Sequence, residues 1–229
     1  MLNVVAPDPL FQDRTDAGRQ LADRLQPYAN RPEVLVLGLP RGGVPVAYEV
    51  ATALRAQLDV CLVRKLGVPD QPELALGAIA SGGVRVLNYA VIHGLGISDH
   101  TIAAVTAREL RELRRRDRAY RGHRPQPEIR DRIIILVDDG MATGATMRAA
   151  ISVILPQRPA KLIVAVPVAT AEICDDLGLV VDEVVCVTRP ATLNAIGCWY
   201  IDFAQTPDRT VCQLLQQSSS NQPGHPPRS

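Results

Sequence analysis

Residues 133–146 read Ile-Ile-Ile-Leu-Val-Asp-Asp-Gly-Met-Ala-Thr-Gly-Ala-Thr. The apolar, mostly β-branched start of this stretch predicts a short buried strand of a parallel sheet. Methionine, arginine and alanine follow Thr146 and predict the start of a helix. The loop between strand and helix should therefore lie at the carboxyl end of a strand, which is where open parallel sheets bind their ligands.

The small residues of this loop suit a phosphate group. A helix N-terminus offers unpaired N–H groups and a partial positive charge to an anion. Gly144 permits a close approach of the backbone, and Thr143 and Thr146 add hydroxyl donors. The sequence thus predicts a phosphate site in the loop before the helix.

Two adjacent acids, Asp138 and Asp139, need a different partner because they would repel a phosphate placed beside them. The vicinal hydroxyls of a ribose can donate to both carboxylates while its phosphate lies on the amides, and a divalent cation can screen the remaining repulsion. An ordinary strand-to-helix connection with an aspartate cap explains one acid, but not both together with Thr-Gly-x-Thr. We therefore expect a sugar phosphate as the ligand.

This stretch resembles the 5-phosphoribosyl 1-pyrophosphate (PRPP) motif of type I phosphoribosyltransferases, in which four apolar residues precede Asp-Asp-x-x-x-Thr-Gly-x-Thr. The resemblance implies that Asp138 and Asp139 contact the ribose hydroxyls. It also implies that the 5′-phosphate lies in a cradle formed by Ala142, Thr143, Gly144, Ala145 and Thr146.

A second candidate anion loop, Leu39-Pro40-Arg41-Gly42-Gly43, follows the predicted strand Val34–Gly38. Its two glycines, Gly42 and Gly43, leave the backbone free to turn N–H groups inward, and the planar guanidinium of Arg41 suits phosphate oxygens. The alternative is a tight turn with a surface arginine. Type I phosphoribosyltransferases place their pyrophosphate loop after the first core strand, so the resemblance favours a pyrophosphate site.

Two cations, Arg64 and Lys65, follow a second predicted strand at residues 59–63 and should lie at the same edge of the sheet. The alternative is solvated surface charge. The resemblance assigns basic residues at this position to PRPP, and the Gly- and Pro-rich residues 67–72 are candidates for a mobile cover over the site.

The composition predicts one α/β domain, because 229 residues with 47% hydrophobic composition can bury one good core. A formal net charge of +1 provides no global attraction to nucleic acid or to anionic lipid. The five cysteines include no C-x-x-C pair, so neither a disulfide framework nor a zinc site is indicated. The N-terminal sequence lacks signal-peptide character and no segment has the length of a membrane span, which predicts a cytoplasmic protein.

The alternation of predicted strands and helices indicates a doubly wound, mainly parallel sheet flanked by helices. We expect a single domain over residues 1–217, with residues 1–30 and 190–217 forming a small hood. Its first helix is predicted near residues 11–25 with Thr15 as its cap. The Ser-, Gln- and Pro-rich residues 218–229 are expected to be a disordered tail.

An arginine-rich helix is predicted from Ser98 to Tyr120, with four of its arginines, Arg108, Arg111, Arg115 and Arg118, away from the apolar stripe. Such a helix can bind RNA, but this one has no interleaved aromatic residues for base stacking. We therefore favour a solvated or oligomer-facing helix over residues 108–121. A homodimer is a possible assembly, and nucleic acid is not an expected partner.

Aromatic residues are only 3% of the chain, yet Trp199, Tyr200 and Phe203 lie close together. Their faces can stack on a heterocycle, and the resemblance places the base under a hood near this segment, which makes Trp199 and Tyr200 candidates for base binding. The alternative is a small satellite core against the first helix.

The resemblance covers residues 11–215, over which the chain is similar to a bacterial subgroup of phosphoribosyltransferase-like proteins. It implies transfer of a 5-phosphoribosyl group from PRPP to a nitrogenous base, with Mg²⁺ held mainly through PRPP. Ala142 replaces the acid that handles the purine ring in hypoxanthine and guanine transferases. A non-catalytic protein that binds PRPP or nucleotides is the alternative function. The residues expected to act in catalysis are Arg41, Lys65, Asp138 and Asp139.

Overall fold

The computed structural model describes residues 10–69 and 71–220, with Pro72 and Glu73 described by their backbone alone. The strands are β1 (Val34–Gly38), β2 (Gln57–Val60), β3 (Val63–Val68), β4 (Gln71–Ala80), β5 (Arg85–Leu87), β6 (Ile133–Val137), β7 (Lys161–Val168) and β8 (Glu183–Thr188). The helices are α1 (Arg14–Arg24), α2 (Gly43–Leu54), α3 (Tyr89–Gly94), α4 (Asp99–Arg121), α5 (Ala145–Ile154), α6 (Ala171–Gly178) and α7 (Asp208–Ser220).

The predicted parallel sheet is confirmed as a five-stranded sheet with the order β2-β1-β6-β7-β8. Every pairing in it is parallel. All residues of β1 and β6 are buried, because helices cover both faces of the sheet. Val36 and Ile135 belong to the core on one face, and their neighbours Leu37 and Ile134 belong to the core on the other.

The strand order creates a topological switch point between β1 and β6. The chain runs from β1 outward to β2, whereas β7 and β8 lie on the far side of β6. Gly38 pairs with Val137, so the loops after β1 and β6 leave the sheet side by side. Ligands of open α/β sheets bind in the crevice at such a point.

The prediction for residues 59–63 is wrong in its boundaries. β2 ends at Val60, and Val63 begins β3, which belongs to a second, antiparallel sheet with the order β3-β4-β5. The apolar run spans the end of one sheet and the start of the other, so it looks like one strand in sequence. Arg64 and Lys65 therefore lie within β3 and not in a loop at the carboxyl end of a parallel strand. The expected cover, residues 67–72, overlaps β3 and β4, with residue 70 outside the described chain.

Two local predictions at the ends of the chain also need correction. The N-cap of α1 is Asp13, whose carboxylate accepts the Asp16 N–H at 2.8 Å, so Thr15 lies inside the helix. Helix α7 extends through Ser220, so residues 218–220 are helical and not disordered. The remainder of the expected tail, residues 221–229, lies outside the described residues.

The two parts of the expected hood are joined by a β-bridge. Phe11 and Tyr200 form a parallel β-bridge, and the Ile201 N–H donates to the Phe11 carbonyl at 2.9 Å. The two rings lie 5.2 Å apart between their centroids. This contact joins the start of the domain to the segment after β8, and a hood that covers a base remains a prediction.

The C-terminal end of α4 is fixed to the parallel sheet by Arg121, whose side chain is only 3% exposed. Its Nε donates to both carboxylate oxygens of Asp59 in β2, at 3.0 and 3.2 Å. Its terminal nitrogens donate to the Ser81 hydroxyl and the Val60 carbonyl. A charge this deeply buried must be fully paired, so these contacts define where α4 ends against the sheet.

Within residues 10–69 and 71–220, none of the helices has both the length and the apolar character needed to cross a bilayer.

Candidate functional site

The acid pair follows β6 directly, and Asp139 is held by an arginine from α1. The Arg14 Nε donates to Asp139 Oδ2 at 2.8 Å, and the two side chains are 11% and 13% exposed. A terminal nitrogen of Arg14 donates to the Ala204 carbonyl at 2.7 Å, and its guanidinium lies 3.9 Å from the centroid of the Phe203 ring. Arg14 therefore ties α1, the acid pair and the segment after Tyr200 together.

Asp138 lies in a less favourable environment for a charge. Its Oδ1 accepts the Asp139 N–H at 2.9 Å. Burial, and next the negative charge of Asp139, raise the pKa of Asp138 well above its usual range. Two carboxylates kept this close are costly to ionise together, which is typical of a site that pairs acids with a ligand.

Each acid keeps one oxygen for such a ligand. Apart from the interaction of the two carboxyl groups with each other, Asp138 Oδ2 and Asp139 Oδ1 accept no hydrogen bond from the described part of the chain. Both side chains are partly exposed. Two hydroxyl groups can therefore reach the pair without displacing Arg14.

The raised pKa of Asp138 predicts a pH-dependent effect of Asp138→Asn. In the wild-type protein this group destabilises the folded state increasingly as pH rises from its unfolded pKa, about 3.9, through its raised folded pKa. Asparagine stays neutral, so D138N should gain stability relative to wild type across that window and then hold a constant difference. Urea unfolding at several pH values measures it. A pH-independent difference for D138N would contradict the expectation.

The glycines of the loop after β1 pack directly on the acid pair. A Cβ atom on Gly42 would lie 1.9 Å from Asp139 Oδ2, and one on Gly43 would lie 2.8 Å from the Asp138 Cα. Gly42 has an ordinary helical conformation and the Gly43 N–H donates to the Leu39 carbonyl at 3.0 Å. The loop therefore needs glycine for close contact with the acids.

The open donors of this loop are at its centre. The N–H groups of Arg41 and Gly42 have no acceptor among the residues described, and the Pro40–Arg41 peptide bond is cis. The Arg41 side chain is partly buried and forms no ion pair within the same part of the chain. These groups are available to an anion beside the acid pair.

Replacing Gly42 with alanine should destabilise the protein by about 1–3 kcal/mol, because the added methyl group overlaps Asp139 Oδ2. Urea unfolding of G42A provides the measurement. A Cβ atom on Gly94, in helix α3, would meet nothing within 4 Å, so G94A serves as the control and should be at least as stable as wild type. A G42A variant as stable as G94A would show that the loop does not pack on Asp139 in solution.

The loop after β6 has the form of an anion cradle. Gly144 caps α5 in the left-handed conformation, with φ +69°. The N–H groups of Ala142, Thr143, Gly144 and Thr146 find no acceptor within the residues that the structure covers, and the side chains of residues 142, 143, 145 and 146 are exposed. Free amides at the N-terminus of a helix form a site for phosphate.

Of the two predicted cations, Arg64 and Lys65, only Arg64 is among the residues that line the cleft between the candidate loops. Arg64 lines a cleft together with Leu39, Pro40 and Thr146, so it lies between the two candidate loops. Its Nε donates to Glu109 Oε2 at 2.7 Å. Lys65 is the next residue of β3, and neighbouring residues of a strand point to opposite faces. The structure therefore brings Arg64 to the cleft but does not place Lys65 among its lining residues.

The aromatic candidates mainly form the satellite core. Tyr200 is 5% exposed, packs between Phe11 and Phe203, and donates its hydroxyl to the Asp139 carbonyl at 2.6 Å. Burial raises the pKa of Tyr200. Trp199 is partly buried, and its carbonyl accepts the N–H groups of Leu10 and Phe11. Tyr200 thus supports the acid pair and offers little free ring surface to a base.

The side chains of the candidate site suit a metal ion that is held partly by the substrate more than one held by the protein alone. No group of three or more His, Cys, Asp or Glu side chains that could hold a metal lies within residues 10–69 and 71–220. Two adjacent carboxylates remain, and Mg²⁺ is commonly bound through one or two carboxylates together with substrate phosphates.

Comparisons with known proteins show the family of this chain. A model of the phosphoribosyl transferase domain matches residues 11–177. A protein of Mycobacterium tuberculosis (strain ATCC 25618 / H37Rv) named "Putative phosphoribosyl transferase Rv0571c" is 48% identical over 209 residues, which cover 91% of this chain and 47% of that protein. The chain thus spans about half the length of the curated relatives it matches.

A solved structure extends the match to three dimensions. The crystal structure of TT1426 from Thermus thermophilus has a TM-score of 0.81 and 43% sequence identity, covering 90% of this chain and 98% of that one. The family match covers the acid pair, both candidate loops and Arg14. This chain therefore belongs to the family of phosphoribosyl transferase domain proteins.

Proposed function

We propose that this protein transfers a 5-phosphoribosyl group from PRPP to a nitrogenous base and releases pyrophosphate. The observation that carries the proposal is the meeting of three features at the switch point between β1 and β6. These features are an acid pair with one open oxygen on each carboxylate, a helix N-terminal loop with free amides, and a loop with free amides beside Arg41.

Each feature suits one part of PRPP. The 5′-phosphate would accept hydrogen bonds from the free N–H groups of Ala142, Thr143, Gly144 and Thr146, and the ribose hydroxyls would donate to Asp138 and Asp139. The pyrophosphate would lie by the loop 39–43, with Arg41 and Arg64 as cations. Lys65 remains a predicted contact from the resemblance.

The proposed reaction requires no protein nucleophile. Departing pyrophosphate leaves an oxocarbenium-like carbon, so the protein has to orient two reactants and stabilise the leaving group. Mg²⁺, when bound, would neutralise part of the pyrophosphate charge. We propose that it is held mainly by PRPP oxygens, with Asp138 and Asp139 contacting it through water.

Incubation of the purified protein with PRPP, Mg²⁺ and a panel of purine and pyrimidine bases tests the proposal. Pyrophosphate release that requires a particular base would support a transferase. PRPP binding without turnover on the whole panel would favour a regulatory protein that binds PRPP, and a failure to bind PRPP would overturn both functions. Because the curated relatives are about twice as long as the matched region, the same panel should be run on a full-length relative.

A cytoplasmic location and a homodimer remain predictions from the sequence, as does the role of Trp199 in base binding.

A further inference from the structure

One face of the arginine-rich helix α4 is turned toward the candidate site. Leu113 is 1% exposed and packs in the core, and Arg116 follows it by three residues on the same face of the helix. Arg116 lines the cleft that also contains Pro40, Arg64 and Thr146. The helix therefore contributes a guanidinium to the space between the two candidate anion loops.

One end of the Arg116 guanidinium is hydrogen-bonded, and its other donors have no acceptor among the described residues. Its Nε donates to Glu112 Oε1 at 2.8 Å, one helical turn earlier. Its two terminal nitrogens have no hydrogen-bond partner within the described chain. Its side chain is 29% exposed, compared with 58% for its neighbour Arg115. An arginine fixed at one end with its terminal donors open is well suited to phosphate oxygens.

Arg116 and Arg41 both act on the phenol of Tyr120. Burial raises the pKa of Tyr120 most strongly and its hydrogen bond to Asp208 raises it further, while the nearby charges of Arg116 and Arg41 act in the opposite direction. Both guanidiniums therefore lie near the same phenol, and Arg64 shares the cleft with Arg116. The acids of this part of α4 offset the charge incompletely, because Glu109 is also paired with Arg108 and Glu112 with Arg115.

We propose that Arg116 binds the pyrophosphate group of PRPP, together with Arg41 and Arg64. This assignment rests on the proposed function and adds to it a residue of α4 outside the motifs of the sequence. Pyrophosphate is the fitting ligand because Pro40 and Arg64 line the cleft on the side of the loop after β1. The arginine-rich segment thus has an inner face that belongs to the site, and the arginines singled out from the sequence lie on its other faces.

Isothermal titration of Mg²⁺-pyrophosphate, ribose 5-phosphate and PRPP into wild type, Arg116→Gln and Arg115→Gln tests this assignment. The control is matched, because both arginines donate to Glu112 and only Arg116 of the two lines the cleft. We expect R116Q to weaken pyrophosphate and PRPP binding by about tenfold to a hundredfold, the range for one lost charge-assisted contact. R115Q should bind all three ligands like wild type, and ribose 5-phosphate should bind R116Q unchanged.

The outcomes separate this assignment from the proposed function. Tight PRPP binding by the wild type with equal pyrophosphate affinity in R116Q and R115Q would overturn the role of Arg116 and leave the proposed function standing. A loss confined to ribose 5-phosphate would also overturn it, since Arg116 would then serve the other phosphate. Wild-type protein that binds neither PRPP nor pyrophosphate would overturn both. Thermal unfolding of both variants checks that they are folded.

Discussion

Replacing both Asp138 and Asp139 with asparagine should weaken PRPP binding by about a hundredfold or more. Each carboxylate has one oxygen available for a ribose hydroxyl, and a hydrogen bond to a charged group contributes about 1.5–3 kcal/mol. Asparagine keeps the size of the side chain but loses the charge. Isothermal titration with PRPP and Mg²⁺ measures the loss.

A matched control separates ligand contact from damage to the fold. Glu49 pairs with Arg19 of α1, as Asp139 pairs with Arg14 of the same helix. The variant E49Q therefore also weakens an ion pair of α1 but lies outside the site, and it should bind PRPP like wild type. Wild-type affinity in the double variant D138N/D139N would count against the sugar-binding role of the acids.

Replacing Arg121 with methionine should destabilise the protein by about 3–5 kcal/mol, which is the range for removing one partner of a buried ion pair. Asp59, only 8% exposed on its side chain, would be left without its guanidinium. Urea unfolding is the measurement. The exposed Arg118 forms no ion pair among the described residues, so R118M should stay within about 0.5 kcal/mol of wild type.

A double variant sharpens this prediction. Replacing Asp59 as well, in R121M/D59L, removes the buried unpaired charge and should recover much of the lost stability, because apolar pairs often replace buried ion pairs at little cost. The other carboxylate partner of Arg121, Asp117, is 34% exposed and can be solvated. A single variant R121M within about 1 kcal/mol of wild type would contradict the account of how α4 is fixed to the sheet.

The parallel strands were the most predictable part of the fold. β1 and β6 have the predicted boundaries, because each is a short apolar run that ends where a loop of small or charged residues begins. The prediction of the second strand is wrong because no such change of residue type marks its end. The apolar residues from Val60 to Val63 continue across the change from one sheet to the other, and neither glycine nor proline marks the point where pairing ends.

The residues of the candidate site form motifs in the sequence, but the contacts between them do not follow from the sequence. The acid pair and the small-residue loop are contiguous, so a motif reveals them. Arg14 and Asp139 are separated by 125 residues, and only the fold shows that they meet. Tyr200 looked like a surface for a base because aromatic residues are rare in this chain, yet its hydroxyl supports the Asp139 backbone.

Arg116 belongs to no sequence motif, but a helical projection of α4 places it in line with buried residues. It continues the buried stripe of α4 by three residues after Leu113, whereas the arginines first singled out lie on the other faces.

Crystals of the protein grown with PRPP and Mg²⁺ test the central claim most directly. The account predicts the 5′-phosphate on the amides of residues 142–146, the ribose hydroxyls on Asp138 and Asp139, and the pyrophosphate between Arg41 and the cleft residues Arg64 and Arg116. PRPP bound elsewhere, or absent from this crevice at saturating concentration with both acids still closed by protein contacts, would contradict it.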